Sequence, residues 1–193
     1  MQKIILASQS PRRKQLLEWA EVPFEVIVSA TDEAYPSGLN FEEIAIHIAR
    51  NKALAVKMSD VFENHGSLST APILAADTIV VLGDKIIGKP MDRDDAINIL
   101  TSLSGQQHLV ITGVVILHGK KGIAFADASA VQFHELSREQ IVYYVDHYKP
   151  YDKAGAYAIQ EWIGVIGIRS VHGDFYNVMG LPVSRVVQAL RNL

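Results

Sequence analysis

The segment from Ala7 to Arg13 carries residue types that bind phosphate. It reads A-S-Q-S-P-R-R, so two hydroxyl groups and two guanidinium groups follow one another closely. Ser10 is a good N-cap and Pro11 a good first helical residue, which places Arg12 and Arg13 in the first turn of a predicted helix. Backbone N–H groups and the helix dipole favour an anion at such a start, and arginine adds bidentate donors. The alternative is an ordinary cap followed by solvated arginines, and the G-x-x-x-x-G-K signature of a P-loop is absent.

Two charged residues stand where the pattern predicts apolar surroundings. Asp77 lies in the run I-L-A-A-D-T-I-V-V-L, where strand alternation places it on the face of Ala75 and Ile79, and Lys52 lies on the apolar stripe of a predicted helix. A carboxylate in such a strand must be paired with a cation, bound to a metal or sited at a cleft, because unpaired burial is costly. A lysine on an apolar stripe either extends to solvent or meets an anion. A purely structural ion pair for Asp77 and a solvated Lys52 are the alternatives.

Two further segments carry candidate binding groups. Lys89 stands in G-K-P just after a predicted strand pair, and Tyr151 to Gln160 reads Y-D-K-A-G-A-Y-A-I-Q, with Asp152, Lys153 and Gln160 as its polar residues. Small residues permit close approach of a ligand, and a glutamine amide both donates to and accepts from a base edge. Each signal is weak alone, since a loop lysine before proline is usually only a solvated charge. None of the seven histidines forms a pair such as H-E-x-x-H, so we do not expect a zinc site.

Composition limits the class of protein. The chain has 193 residues, 49% hydrophobic and 20% charged, with no linker, so we expect one domain over residues 1–193, which two lobes could build. Its net charge of −3 argues against binding a nucleic acid polymer, although a local basic cluster can still hold a small polyanion. The absence of cysteine excludes disulfides, thiolate metal sites and thiol nucleophiles. Without a signal-peptide core or a membrane-length apolar run, a cytoplasmic protein is expected.

The elements that must position these groups alternate between strand-like and helix-like runs, which predicts an α/β fold with a mixed sheet. The predicted strands cover residues 3–6, 24–29, 73–82, 85–87, 110–117, 123–133 and 163–171. Helices are predicted over residues 11–20, after caps at Asn40 and Asp92, between Ser137 and Pro150, and from Pro182 to near Arg191.

Taken together, five segments resemble the Maf family of nucleotide pyrophosphatases. They are S-x-S-P-R-R, A-D-T after an apolar strand, G-K-P, D-K-A-G-A-Y-x-I-Q, and G-L-P before the last helix, and they span Leu6 to about Val183 in the family's order. The set is far more specific than any one segment. The resemblance implies an elongated mixed β-sheet flanked by helices, with two lobes and a central cleft, similar to inosine triphosphate pyrophosphatases. It also implies a homodimer as the common assembly.

The resemblance further implies roles for individual residues. The implied catalytic residues are Asp77, Lys52 and Lys89. The implied substrate-binding residues are Ser8, Arg12, Arg13, Thr78 and Gln160. Asp77 and Glu33 would hold a divalent cation, normally Mg²⁺ with Mn²⁺ as the alternative. Asp77 is then a metal ligand, the general base for the attacking water, or both.

The resemblance also indicates the substrate class, because three positions distinguish the subgroups of the family. The subgroup acting on dTTP and UTP has arginine, threonine and glutamine where this sequence has Arg12, Thr78 and Gln160, whereas the subgroup preferring a methylated guanosine triphosphate has tryptophan, glutamine and glutamate. The expected reaction is water attack at the α-phosphorus of dTTP or UTP, giving a monophosphate and pyrophosphate. Two alternatives remain: hydrolysis of modified pyrimidine triphosphates, and nucleotide binding by a regulator of septum formation without significant turnover.

Overall fold

The structure is a computed structural model that describes residues 2–193. Met1, the first residue of the predicted single domain, lies outside the described residues. The chain divides into two compact units. The first contains the described residues up to Asp77 together with Thr112–Asp127 and Gly180–Leu193, and the second contains Thr78–Ile111 and Ala128–Met179. Among the described residues, no helix has the length and apolar character needed to cross a membrane.

Strands and helices alternate along the chain, as the sequence predicts. In chain order the elements are β1 (Ile4–Leu6), α1 (Pro11–Trp19), β2 (Phe24–Val26), α2 (Phe41–Lys57), α3 (Asp60–Glu63), β3 (Ile73–Leu82), β4 (Lys85–Ile87), α4 (Arg93–Leu103), β5 (Gln107–His118), β6 (Lys121–Phe133), α5 (Arg138–Tyr148), α6 (Trp162–Gly167), β7 (Ile168–His172), α7 (Phe175–Met179) and α8 (Val183–Arg191). Two 3₁₀ turns, Gly66–Leu68 and Ala154–Ala156, complete the secondary structure of residues 2–193.

The strands of the described residues form one mixed sheet. Its order is β2-β1-β3-β5-β6-β7, with β4 paired to β3. Strand β1 is parallel to β2 and β3, whereas β4 is antiparallel to β3 and β7 is antiparallel to β6. The predicted fold class, a mixed sheet flanked by helices, is confirmed.

Helix α2 is the main helix of the first unit's core. Its start is a capping box, in which the Asn40 side chain accepts from the Glu43 N–H and the Glu43 carboxylate accepts from the Asn40 N–H. Two otherwise unpaired donors are satisfied in this way. The apolar stripe of α2 packs against β1, β3 and β5. At Gly113 on β5 a Cβ atom would lie 2.2 Å from the Ala45 backbone, so only glycine allows this close approach of strand and helix.

The predicted strand over residues 163–171 is wrong in its first half. Helix α6 occupies Trp162–Gly167, and only the following residues form strand β7. A short apolar run cannot be assigned to helix or strand from periodicity alone. Gly164 lies inside this helix, and a Cβ atom there would lie 1.7 Å from the Ile159 carbonyl oxygen, so glycine allows the chain to turn tightly against that carbonyl. The second predicted strand is also shorter than expected and ends at Val26.

Candidate active site

The start of helix α1 brings a buried arginine onto a serine hydroxyl. Ser10 caps the helix by accepting from the Arg13 N–H, as the sequence predicts. The Arg13 guanidinium donates to Ser8 Oγ at 3.1 Å and, through Nε, to the Gly180 carbonyl at 2.8 Å. Arg13 is only 8% exposed, and Ser8 is equally buried. The orientation of the Arg13 side chain is therefore set by Ser8 and by Gly180, which is distant in the sequence. The alternative of a solvated arginine does not hold for Arg13.

The charge environment of Arg13 joins it to the two carboxylates singled out in the sequence. Burial lowers the pKa of Arg13, while the negative charges of Asp77 and Glu33 act in the opposite direction. The neighbouring positive charge of Arg12, which is half-buried, lowers that pKa further. The first unit thus gathers cations and carboxylates at one place.

Lys52 connects the two carboxylates. Its Nζ donates to Asp77 Oδ1 at 2.6 Å and to Glu33 Oε1 at 2.8 Å. The side chains of Lys52 and Asp77 are 20% and 12% exposed, whereas that of Glu33 is 53% exposed. Of the options that the sequence left open, the lysine on the apolar stripe meets an anion, and the aspartate in the strand is paired with a cation.

The remaining predicted site residues belong to the second unit. Thr78 follows Asp77 on β3 and is partly exposed, and Lys89 and Gln160 are exposed. The Gly155 N–H donates to the Gly88 carbonyl at 3.1 Å, so the glycine- and alanine-rich segment is tied to the residue before Lys89.

Lys153 proves to be a buried residue with two anionic neighbours. Its Nζ lies 2.8 Å from Asp152 Oδ1 and 3.6 Å from Glu161 Oε1, and its side chain is 9% exposed. Glu161 in turn accepts a hydrogen bond from the hydroxyl of Tyr144, a fully buried residue of α5. No motif in the sequence marks Tyr144 or Glu161. Their one sequence signal is that Glu161, an acidic residue, directly follows the D-K-A-G-A-Y-x-I-Q segment, which itself contains the basic residue Lys153.

A second pair of polar groups is buried in the same unit. His108 Nε2 lies 2.7 Å from the Tyr157 hydroxyl, and the rings of both residues make edge contacts with Phe133. Burial lowers the pKa of His108 to about 4 and raises that of Tyr157 above its ordinary value. Both side chains are therefore neutral at pH 7, and their role is in packing.

The carboxylates of Asp77 and Glu33 are the oxygen ligands that the first unit offers to a cation, and a bound substrate would supply the others. Within residues 2–193, no group of three or more histidine, aspartate or glutamate side chains is arranged to hold a metal ion. Asp77 and Glu33 do converge on one ammonium group, which brings two carboxylates near each other. A Mg²⁺ ion commonly binds one or two carboxylates together with substrate phosphates.

Comparison with known proteins gives a consistent result. The chain matches the family model described as Maf-like protein over residues 3–193. It is 47% identical over 191 residues to a protein of Parabacteroides distasonis, with 98% of this chain and 95% of the relative covered. It is 46% identical to proteins of Porphyromonas gingivalis and Bacteroides thetaiotaomicron, covering 98% and 99% of this chain and 94% and 96% of the relatives. All three relatives are named dTTP/UTP pyrophosphatase. With a family model over nearly its whole length and such identities, the chain belongs to the Maf family.

Proposed function

We propose that this protein is an enzyme that hydrolyses dTTP and UTP to the nucleoside monophosphate and pyrophosphate. The observation that carries the proposal is the Lys52 ammonium held between the carboxylates of Asp77 and Glu33, in the unit that also places Arg13 on Ser8. The names of relatives at 45–47% identity over nearly the full chain support the same reaction and the same pair of substrates.

The phosphates are the first group that the site must bind. Ser8, Arg12 and Arg13 stand at a helix start, where N–H groups and the dipole favour an anion. Arg13 is already oriented by Ser8 and Gly180, so little side-chain freedom is lost when a phosphate arrives. Lys52 and Lys89 are the further cations that we assign to the triphosphate.

We assign to Asp77 the activation of the water molecule that attacks the α-phosphorus. Its carboxylate, 12% exposed and 2.6 Å from an ammonium group, is held in one orientation. A carboxylate so placed orients or deprotonates a water molecule, and Lys52 stabilises negative charge that develops on the phosphate oxygens. The bond to the bridging oxygen breaks, and pyrophosphate leaves with that oxygen.

Asp77 and Glu33 are also the residues that would hold a divalent cation, with Mg²⁺ or Mn²⁺ the expected ions. When bound, the cation would neutralise charge on the triphosphate and on the departing pyrophosphate. Both carboxylates bind Lys52, which supports the proposal because it brings them to one place.

The base is assigned to Arg12, Thr78 and Gln160. Uracil and thymine present two carbonyl acceptors around one N–H donor. A glutamine amide offers both complementary functions, while arginine supplies donors only. Gln160 is exposed, which leaves its amide accessible to a base. We further propose a cytoplasmic homodimer; the absence of cysteine is compatible with a reducing compartment.

Hydrolysis of dTTP and UTP in ¹⁸O-labelled water with Mg²⁺ tests the reaction. We expect pyrophosphate as the product and the label in the monophosphate, while Asp77→Asn prepared in parallel controls for contaminating activity. Label in free orthophosphate, with a diphosphate product, would show cleavage at the γ-phosphate and overturn the assignment. Tight binding of dTTP without pyrophosphate release would instead favour a nucleotide-binding regulator.

A further inference from the structure

A chain of polar contacts joins helix α5 to the segment that carries Gln160, here called the 152–161 segment. The Tyr144 hydroxyl donates to Glu161 Oε2, and Lys153 Nζ lies 3.6 Å from the other oxygen of the same carboxylate. Tyr144 is fully buried, and the side chains of Lys153 and Glu161 are 9% and 23% exposed. A buried hydroxyl or ammonium costs free energy unless it is paired. Here the Tyr144 hydroxyl pairs with the Glu161 carboxylate, and Lys153 donates to Asp152 Oδ1 at 2.8 Å while its charge also faces Glu161.

The same hydroxyl also fixes the backbone. The Ala158 N–H donates to Tyr144 Oη at 3.2 Å. Tyr144 therefore holds the chain two residues before Gln160 through Ala158 and one residue after it through Glu161. Gln160 itself is exposed, and its amide is presented from a stretch of chain that Tyr144 contacts at the Ala158 N–H and at the Glu161 side chain.

The backbone of the 152–161 segment adopts conformations that need such support. Ala156 has φ of +57°, a left-handed conformation that a residue with a Cβ atom adopts only when its surroundings impose it. Gly155 has φ of +71°, and a Cβ atom there would lie 3.1 Å from the Val80 side chain. Its N–H donates to Gly88, next to Lys89. The segment is thus held in one particular shape.

We propose that Tyr144, Glu161 and Lys153 form a positioning network that sets the placement of Gln160 and thereby the selectivity for uracil and thymine. The proposal rests on the proposed function and deepens it. A buried ion pair is a weak source of stability, because desolvation cancels much of its attraction, whereas it specifies one geometry. The three residues act on the substrate only through Gln160.

The decisive variant is Tyr144→Phe, which removes one hydroxyl and keeps the ring. Its matched control is Tyr143→Phe, the neighbouring tyrosine on the same helix, whose side chain is 44% exposed. We expect Tyr144→Phe to lower the ratio of kcat/KM for UTP over CTP by about tenfold, mainly through a higher KM for UTP. Tyr143→Phe should keep the parent ratio.

Glu161 provides a rescue test. Glu161→Gln still offers an oxygen to the Tyr144 hydroxyl, so this variant should retain most of the UTP-over-CTP ratio, while Glu161→Ala should lose it. An equal fall in kcat for both nucleotides at an unchanged ratio would show a merely structural role and overturn the proposal. An unchanged ratio in Tyr144→Phe would overturn it as well.

Equilibrium binding separates this proposal from the proposed function. The probes are UTP and CTP analogues with a non-hydrolysable α,β-methylene bridge. If the parent prefers the UTP analogue and Tyr144→Phe loses that preference by about tenfold, the network positions Gln160 even in a protein that turns over no nucleotide. If the parent has no preference, or if Tyr144→Phe retains the parent's preference, the positioning network is wrong whatever the outcome of the turnover assay.

Discussion

Lys52 is shared between two carboxylates, and this arrangement predicts that its two ion pairs are unequal in stability. Lys52→Met removes the cation from both. Glu33, 53% exposed, then returns to water, but Asp77, 12% exposed, is left as a nearly buried carboxylate without its ammonium partner, although the charge of Arg13 still acts on it. In contrast, Asp77→Asn leaves Lys52 paired with Glu33 and in partial contact with solvent.

The magnitudes follow from burial. Removing one partner of a buried pair costs about 3–5 kcal/mol, and the Arg13 charge should bring Lys52→Met to the lower end of that range. Asp77→Asn keeps the side-chain volume and an acceptor oxygen, so its cost should be about 1 kcal/mol, the size of one ordinary hydrogen bond. The difference of about 2 kcal/mol is roughly a 30-fold change in the unfolding equilibrium constant.

Urea denaturation at pH 7 measures both costs, provided that the slope with denaturant is unchanged between variants. Glu33→Gln is the control and should stay within about 0.5 kcal/mol of the parent, because the Glu33 side chain is 53% exposed and Lys52 keeps its pair with Asp77. This prediction is refuted if Lys52→Met and Asp77→Asn lose the same free energy of unfolding, or if Asp77→Asn loses more. Either result would mean that an unpaired Asp77 costs no more than an unpaired Lys52.

The effect of Asp77→Asn on turnover should be much larger than its effect on the free energy of unfolding. Asp77→Asn is expected to lower kcat for dTTP by about 10²–10⁴-fold although it barely changes stability, because an amide neither accepts a proton nor holds a cation well. A near-parent rate in a folded Asp77→Asn enzyme would remove Asp77 from the reaction.

Three further predictions concern selectivity, acid stability and packing. Gln160→Glu should lower kcat/KM for dTTP and UTP by roughly one to two orders of magnitude, because a carboxylate repels a base carbonyl, and the UTP-to-GTP ratio measures it. The free energy of unfolding should fall by about 3 kcal/mol between about pH 6.5 and 4, where unfolded chains protonate His108 and the folded protein does not. His108→Gln should flatten this dependence, and the exposed His134→Gln should not. Gly113→Ala should lower the free energy of unfolding by about 3 kcal/mol or more, since its Cβ atom meets the α2 backbone. Gly88→Ala is the control, because there is open space around Gly88, and its cost should be far smaller. Thermal unfolding of both variants measures the difference.

Local signals made much of the fold predictable. The caps at Ser10, Asn40 and Ser137 act within three residues of their own position, so the starts of α1, α2 and α5 follow from short stretches of chain. Strand β3 has the bounds that its apolar run predicts. Helix α6 was missed because its apolar residues fit either structure, and the close approach of Gly164 to the backbone of Ile159 leaves no trace in the periodicity.

At the candidate site, the sequence shows which chemical groups are available and what each of them needs. Asp77 needs a cation, a metal or a cleft, Lys52 has two possible environments, and the order of the motifs is enough to predict the family. The contact between Asp77 and Lys52, the contribution of Glu33, and the contacts of Tyr144 with the segment of Gln160 are visible only in the folded chain. Burial makes pairing obligatory for groups such as Asp77 and Lys52, while the choice of partner depends on which distant parts of the chain the packed sheet and helices bring together.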